Sequence, residues 1–193
     1  MGSLQFHGVK TIDIDDLKLT QIYLSQSKLD NVRSWFASAL NNFQPVSVRD
    51  FLNNGSLHIT DGHSRAFIAW QKGLKQIPCR YDEDEIVRCE LGQIQYENDI
   101  EWCDRFQLRH ISDLANRILP ENEYELLWRG RCGKMYDLEV ALLDNKLYKE
   151  ALYAKKDLLG QEGLFVYGIS ADLTILQCEN HLGELFEIPY DAL

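Results

Sequence analysis

Asp61-Gly62-His63-Ser64-Arg65 gathers an acid, an imidazole, a hydroxyl and a guanidinium into five consecutive residues. A short apolar strand pattern, Leu57 and Ile59, precedes them, and an apolar helix pattern, Ala66, Ala69 and Trp70, follows. A strand that turns through glycine into a helix leaves unpaired N–H groups at the positive end of the helix dipole, where phosphate is readily held. His63 and Ser64 can donate hydrogen bonds to anionic oxygens, and Arg65 can contact phosphate in a bidentate manner. Gly62 supplies a backbone angle that other residues avoid. Asp61 can orient a hydroxyl or a magnesium ion. Asp61 and His63 are thus the candidate catalytic residues, and Gly62, His63, Ser64 and Arg65 the candidate phosphate ligands. Ser25, Ser27 and Lys28 precede a second helix and could line the opposite wall. Each has a plainer task too: Asp61, Ser64 and Ser27 can cap helices, and Arg65 can pair with a nearby acid.

The surrounding pattern reads as a scaffold for that turn. Val9–Leu19 alternates as a strand running into a turn. Leu29, Val32, Trp35, Phe36, Ala39, Leu40 and Phe43 recur at helical spacing, with Ser27 as the natural N-cap. Pro45 opens a second strand, Asn53-Asn54-Gly55 signals a turn, and Leu57–Thr60 forms a third strand. The helix from about Ser64 stops at Gly73, and Ile77–Tyr81 returns as a strand. Asp82–Glu85 reads as a solvated turn. Residues 98–143 are helical in pieces, with Pro120 in a first helical turn. Ala151–Ala154, Gly163–Ile169, Leu173–Cys178 and Glu184–Ile188 read as four short strands of an antiparallel sheet.

The predicted class is α+β: a core at 1–90, a helical segment at 91–147 packed on it, and a small β subdomain at 148–193. The net charge of −10 sits entirely in residues 89–193, because residues 1–88 carry ten basic and ten acidic side chains. An acidic surface repels phosphate backbones, which argues against direct nucleic-acid binding. No apolar run approaches the roughly 18 residues of a membrane span, and no leader-like apolar core opens the sequence. A cytoplasmic location is expected. The five cysteines form no C-x-x-C pair, which reads as reduced thiols. No metal-ligand spacing is evident. Trp128-Arg129-Gly130-Arg131-Cys132 is the one basic-aromatic cluster of the acidic half, suited to stacking a base or to plain helix packing.

The order of elements over residues 9–81, with Ile59-Thr60-Asp61-Gly62-His63-Ser64-Arg65-Ala66 followed by Gly73-Leu74-Lys75-Gln76-Ile77-Pro78, resembles the ParB/sulfiredoxin superfamily. The resemblance implies a nucleotide-binding core whose helix N-terminus holds phosphates. It implies ATP or ADP with Mg²⁺ as cofactor, and a nucleotide plus an unknown small-molecule or protein acceptor as partners. Sulfiredoxin-like chains carry a reactive cysteine where His63 stands, so sulfinic-acid reduction is not expected. ParB-like chains carry Gly-Glu-Arg-Arg and a basic continuation, which this chain lacks. The pattern most similar to this one is the Asp-Gly-His-His-Arg of the free serine kinase branch. Ser64 replaces its second His, and residues 23–28 lack the acid kept there. A small-molecule kinase or nucleotide hydrolase is the expectation, with a non-catalytic interaction or regulatory module as the alternative.

Overall fold

The computed structural model describes residues 5–36, 43–130 and 132–133, together with the backbone of three strands nearer the C-terminus. The fold is α+β. The chain divides into two compact units, Met1–Trp128 and Arg129–Leu193.

In the first unit, strands β1 (Val9–Asp13), β3 (Val46–Arg49), β4 (His58–Asp61) and β5 (Gln76–Tyr81) form one sheet in the order β1-β5-β3-β4. β5 runs antiparallel to β1 and parallel to β3, and β3 runs antiparallel to β4. The free edge of β4 is covered by Lys18, whose carbonyl accepts from Ile59 N–H at 2.9 Å. Val46, Val48, Ile59, Ile77 and Cys79 are buried, so apolar burial fixes the register.

Helix α1 (Gln26–Phe36) turns Leu29, Val32 and Phe36 inward at three- and four-residue spacing. Its cap differs from the expectation. Ser25 Oγ, not Ser27, accepts the N–H of Lys28 at 3.2 Å, because only the residue before the first turn has its oxygen facing the third amide.

Helix α2 (His63–Gln71) buries Ala66, Phe67, Ile68 and Ala69 and packs against α1 and β3. It stops where glycine predicted. Gly73 takes φ +81°, its N–H donates to Trp70 O at 2.8 Å, and Leu74 N–H donates to Ala69 O at 3.1 Å, a Schellman stop.

Beyond β5 come α3 (Glu85–Arg88) and α4 (Glu90–Arg105). A Cβ on Gly92 would lie 1.9 Å from Ile86 O, so glycine permits the close approach of the two. A 3₁₀ segment, Ile111–Asn116, packs on α2. Within the stretch expected to be helical in pieces, Ile118 instead joins β6 (Ile118–Leu119), which pairs in parallel with β2 (Leu24–Ser25). Pro120 caps α5 (Glu121–Tyr124), and a single π turn, Glu125–Arg129, follows.

In the second unit, β7 (Phe165–Ile169), β8 (Ile175–Glu179) and β9 (Leu185–Ile188) form an antiparallel sheet in that order. The expected strand at Ala151–Ala154 and the helix beyond Phe36 up to residue 42 lie outside the described residues. Among the described residues no helix is long and apolar enough to cross a membrane.

Candidate functional site

The chain leaves β4 at Asp61, turns through Gly62 at φ +108°, and enters α2 at His63 without a side-chain cap. Ala66 N–H is bonded to Gly62 O at 2.9 Å. The amides of His63, Ser64 and Arg65 therefore precede the first helical hydrogen bond and carry the positive end of the dipole. Ser64 is half-buried and makes no side-chain hydrogen bond among the described residues.

His63 lies inside this bend, only 5% exposed. Thr20 donates its backbone N–H to Nε2 at 3.2 Å. A backbone amide can only donate, so the proton of the neutral ring sits on Nδ1. Burial pushes the His63 pKa down to about 3; Asp61 opposes that shift and the ammonium of Lys28 adds to it. His63 is therefore a neutral hydrogen-bond donor and carries no positive charge at neutral pH.

Positive charge at the turn comes from Arg65. Its Nη2 pairs with Asp61 Oδ2 at 2.7 Å and donates to Pro45 O at 3.3 Å. The guanidinium folds back over Gly62, where a Cβ would stand 2.8 Å from Nη2. Arg65 Nε is buried and has no hydrogen-bond partner among the described residues. The Asp61 side chain is 67% exposed, so the ion pair itself adds little to stability.

The opposite wall contains an acid that the sequence did not point to. Ser25 Oγ donates to Glu121 Oε2 at 2.5 Å, and Ser27 Oγ donates to the same oxygen. These hydrogen bonds hold the Glu121 carboxyl below its usual range, and Lys28 contributes in the same direction. Lys28 Nζ lies 5.1 Å from the centre of the Tyr124 ring. Lys28 acts electrostatically on both His63 and Glu121, and α1 packs against α2. Glu121 stands 96 residues beyond Ser25 in the sequence. No local pattern marks it.

Two other expectations are revised. Asp82 is 8% exposed, accepts from Thr60 Oγ1 and, at 3.1 Å, from Asp84 N–H, so it organises the turn rather than merely facing water. Trp128 is 6% exposed, which removes it from base stacking. Burial pushes the Cys79 thiol up to about 12, so it is no nucleophile. Among the described residues no cluster of three or more His, Cys, Asp or Glu is arranged to hold a metal.

No family model matches the chain. No curated protein matches it either. It is similar to a conserved hypothetical protein from Pyrococcus furiosus, 21% identical with a TM-score of 0.33, over 44% of this chain and 37% of that one. Protein Atu1540 from Agrobacterium tumefaciens is 14% identical with a TM-score of 0.34, over 48% of this chain and 49% of that one. The C-terminally truncated chromosome-partitioning protein ParB from Caulobacter crescentus, complexed with CTP-gamma-S, is 20% identical with a TM-score of 0.33, over 70% of this chain and 96% of that one. The chain spans less than half the length of the first two. Likenesses at these scores assign no ligand to it.

Proposed function

We propose that this protein binds a nucleotide at the Asp61–Arg65 turn and acts as a small-molecule kinase or nucleotide hydrolase. One observation carries the reading: α2 begins at a left-handed glycine with no side-chain cap, leaving first-turn amides for an anion. The buried, unpartnered Nε of Arg65 beside Gly62 supports it, since a phosphate oxygen would satisfy that donor.

In this reading the amides of His63, Ser64 and Arg65 and the Ser64 hydroxyl hold phosphate oxygens. His63 Nδ1–H donates as a neutral group, and Arg65 and Lys28 balance charge. Asp61 has one carboxylate oxygen on Arg65, leaving the other for a hydrated Mg²⁺ brought with ATP or ADP. That ion would offset phosphate charge when bound. Glu121, held by Ser25 and Ser27, would orient the attacking hydroxyl or water, the one task that Asp61 alone had to fill.

Isothermal titration of the full chain with ATP, ADP and CTP in the presence of Mg²⁺ tests the reading. Binding that weakens roughly tenfold in Lys28→Ala and Ser64→Ala is expected. Absence of binding at millimolar concentration, or binding indifferent to both changes, ends it.

A non-catalytic interaction module retaining this core is favoured by one finding: Asp61 is already paired with Arg65. Nucleotide binding without any phosphorylated or hydrolysed product would select it.

A further inference from the structure

The hydroxyl that Glu121 holds belongs to the chain itself. Its Oε2 accepts from Ser25 Oγ at 2.5 Å and from Ser27 Oγ, and the two serine oxygens lie 2.9 Å apart. The two hydroxyls differ in access. Ser25 is fully buried, and its oxygen also accepts the Lys28 amide at 3.2 Å. Ser27 is exposed, and so is Glu121. Ser27 therefore presents an accessible hydroxyl already hydrogen-bonded to a carboxylate, the arrangement by which an acid readies a serine as nucleophile.

Packing brings this pair towards the phosphate turn. Helix α1, which carries Ser27, packs against α2, and β2, which carries Ser25, touches both α2 and α5. Lys28, the next residue after Ser27, acts electrostatically on both His63 and Glu121. An acceptor from solution would compete with both serines for Oε2. Ser27 is held at that oxygen in advance, and a pre-positioned group reacts without the entropic cost of a second encounter.

We infer, on the nucleotide reading of the Asp61–Arg65 turn, that Ser27 accepts the terminal phosphoryl group of a nucleoside triphosphate bound there. Ser27 Oγ gives its proton to Glu121 Oε2 as its bond to the γ-phosphorus forms. The bond from that phosphorus to the β,γ-bridging oxygen breaks, and the nucleoside diphosphate leaves with the electron pair. Glu121 is exposed, and the serine hydrogen bonds hold its carboxyl below the usual range, so it passes the proton on to water. The product is a phosphoserine in the first turn of α1, favoured there by the helix dipole and by Lys28. Its charge repels Glu121, so labelling stops at one phosphoryl group per chain.

Incubation of the full chain with ATP or CTP and Mg²⁺, followed by intact-mass spectrometry and peptide mapping, tests the assignment, with nucleotide binding measured by calorimetry on the same preparation. One phosphoryl group on Ser27 is expected, formed at a rate independent of protein concentration. It is absent in Ser27→Ala, retained in Ser27→Thr and formed about a hundredfold more slowly in Glu121→Gln. A chain that binds nucleotide yet carries no phosphoryl group on Ser27, or carries it elsewhere, overturns the assignment and leaves nucleotide binding standing. Full labelling rate in Glu121→Gln, or a rate that rises with protein concentration, also overturns transfer within the chain. A chain that binds neither nucleotide overturns both readings.

Discussion

Thr20 and His63 are joined by a hydrogen bond from the Thr20 amide to the imidazole Nε2, 3.2 Å long and closed over 43 residues of chain. The same Thr20 donates its hydroxyl to Ile59 O at 2.6 Å. One residue therefore ties the segment after β1 to both β4 and the first residue of α2. It also fixes which ring nitrogen can face a ligand.

His63 should make stability pH-dependent. Its folded pKa of about 3 lies below the ordinary 6.5, so the unfolded chain binds the extra proton between those values. Stability is fully present above pH 6.5 and falls as pH drops through that window. The loss is about 2 kcal/mol between pH 6.5 and pH 5. His63→Gln keeps an acceptor for Thr20 and removes the titration. Urea midpoints measured across that range should drop more in wild type than in this variant. The lowered pKa of His58 acts in the same direction in both proteins and cancels in the comparison.

Gly62 and Gly8 both have positive φ, +108° and +74°, but only Gly62 has a guanidinium 2.8 Å from the position of an added Cβ. Gly62→Ala should cost about 2–3 kcal/mol and Gly8→Ala about 1. Chemical denaturation compares them directly; equal costs would show that Arg65 yields freely.

Gly92 gives a test of sign. Helix propensity alone predicts that alanine there stabilises α4 by about 1 kcal/mol. The Ile86 carbonyl 1.9 Å from the new Cβ predicts instead a loss of about 1–3 kcal/mol. A thermal melt of Gly92→Ala below wild type supports the close α3–α4 approach, and a melt above it refutes that approach.

Ser25 and Ser27 separate cap from neighbour. Ser25 is fully buried and receives the Lys28 amide, so Ser25→Ala should cost about 1 kcal/mol. Ser27 is exposed, and Ser27→Ala should leave the denaturation midpoint nearly unchanged. The reverse order would restore Ser27 as the cap.

Glu121→Gln addresses chemistry rather than folding. The residue is exposed and keeps both serine donors as an amide. Nucleotide affinity should persist while product formation falls about a hundredfold. Unchanged turnover would remove Glu121 from the reaction.

The sequence alone determined the pieces whose causes are local: β1, β3, β4 and β5, the apolar faces of α1 and α2, the glycine turn into α2 and the stop at Gly73. Near-neighbour spacing and backbone sterics decide these, and both are written in consecutive residues. Tertiary structure decided everything that depends on chain closure. The parallel β2–β6 pair, only two residues long, brings Glu121 to Ser25. Packing buries His63 and keeps its ring neutral, with the Thr20 amide on Nε2. The parallel β3–β5 pair sets Arg49 beside Tyr81 at the sheet's end, and Asp50 is drawn to the Asn54 and Gly55 amides. A side chain's charge state and availability depend on what is packed around it, and those neighbours are distant in sequence.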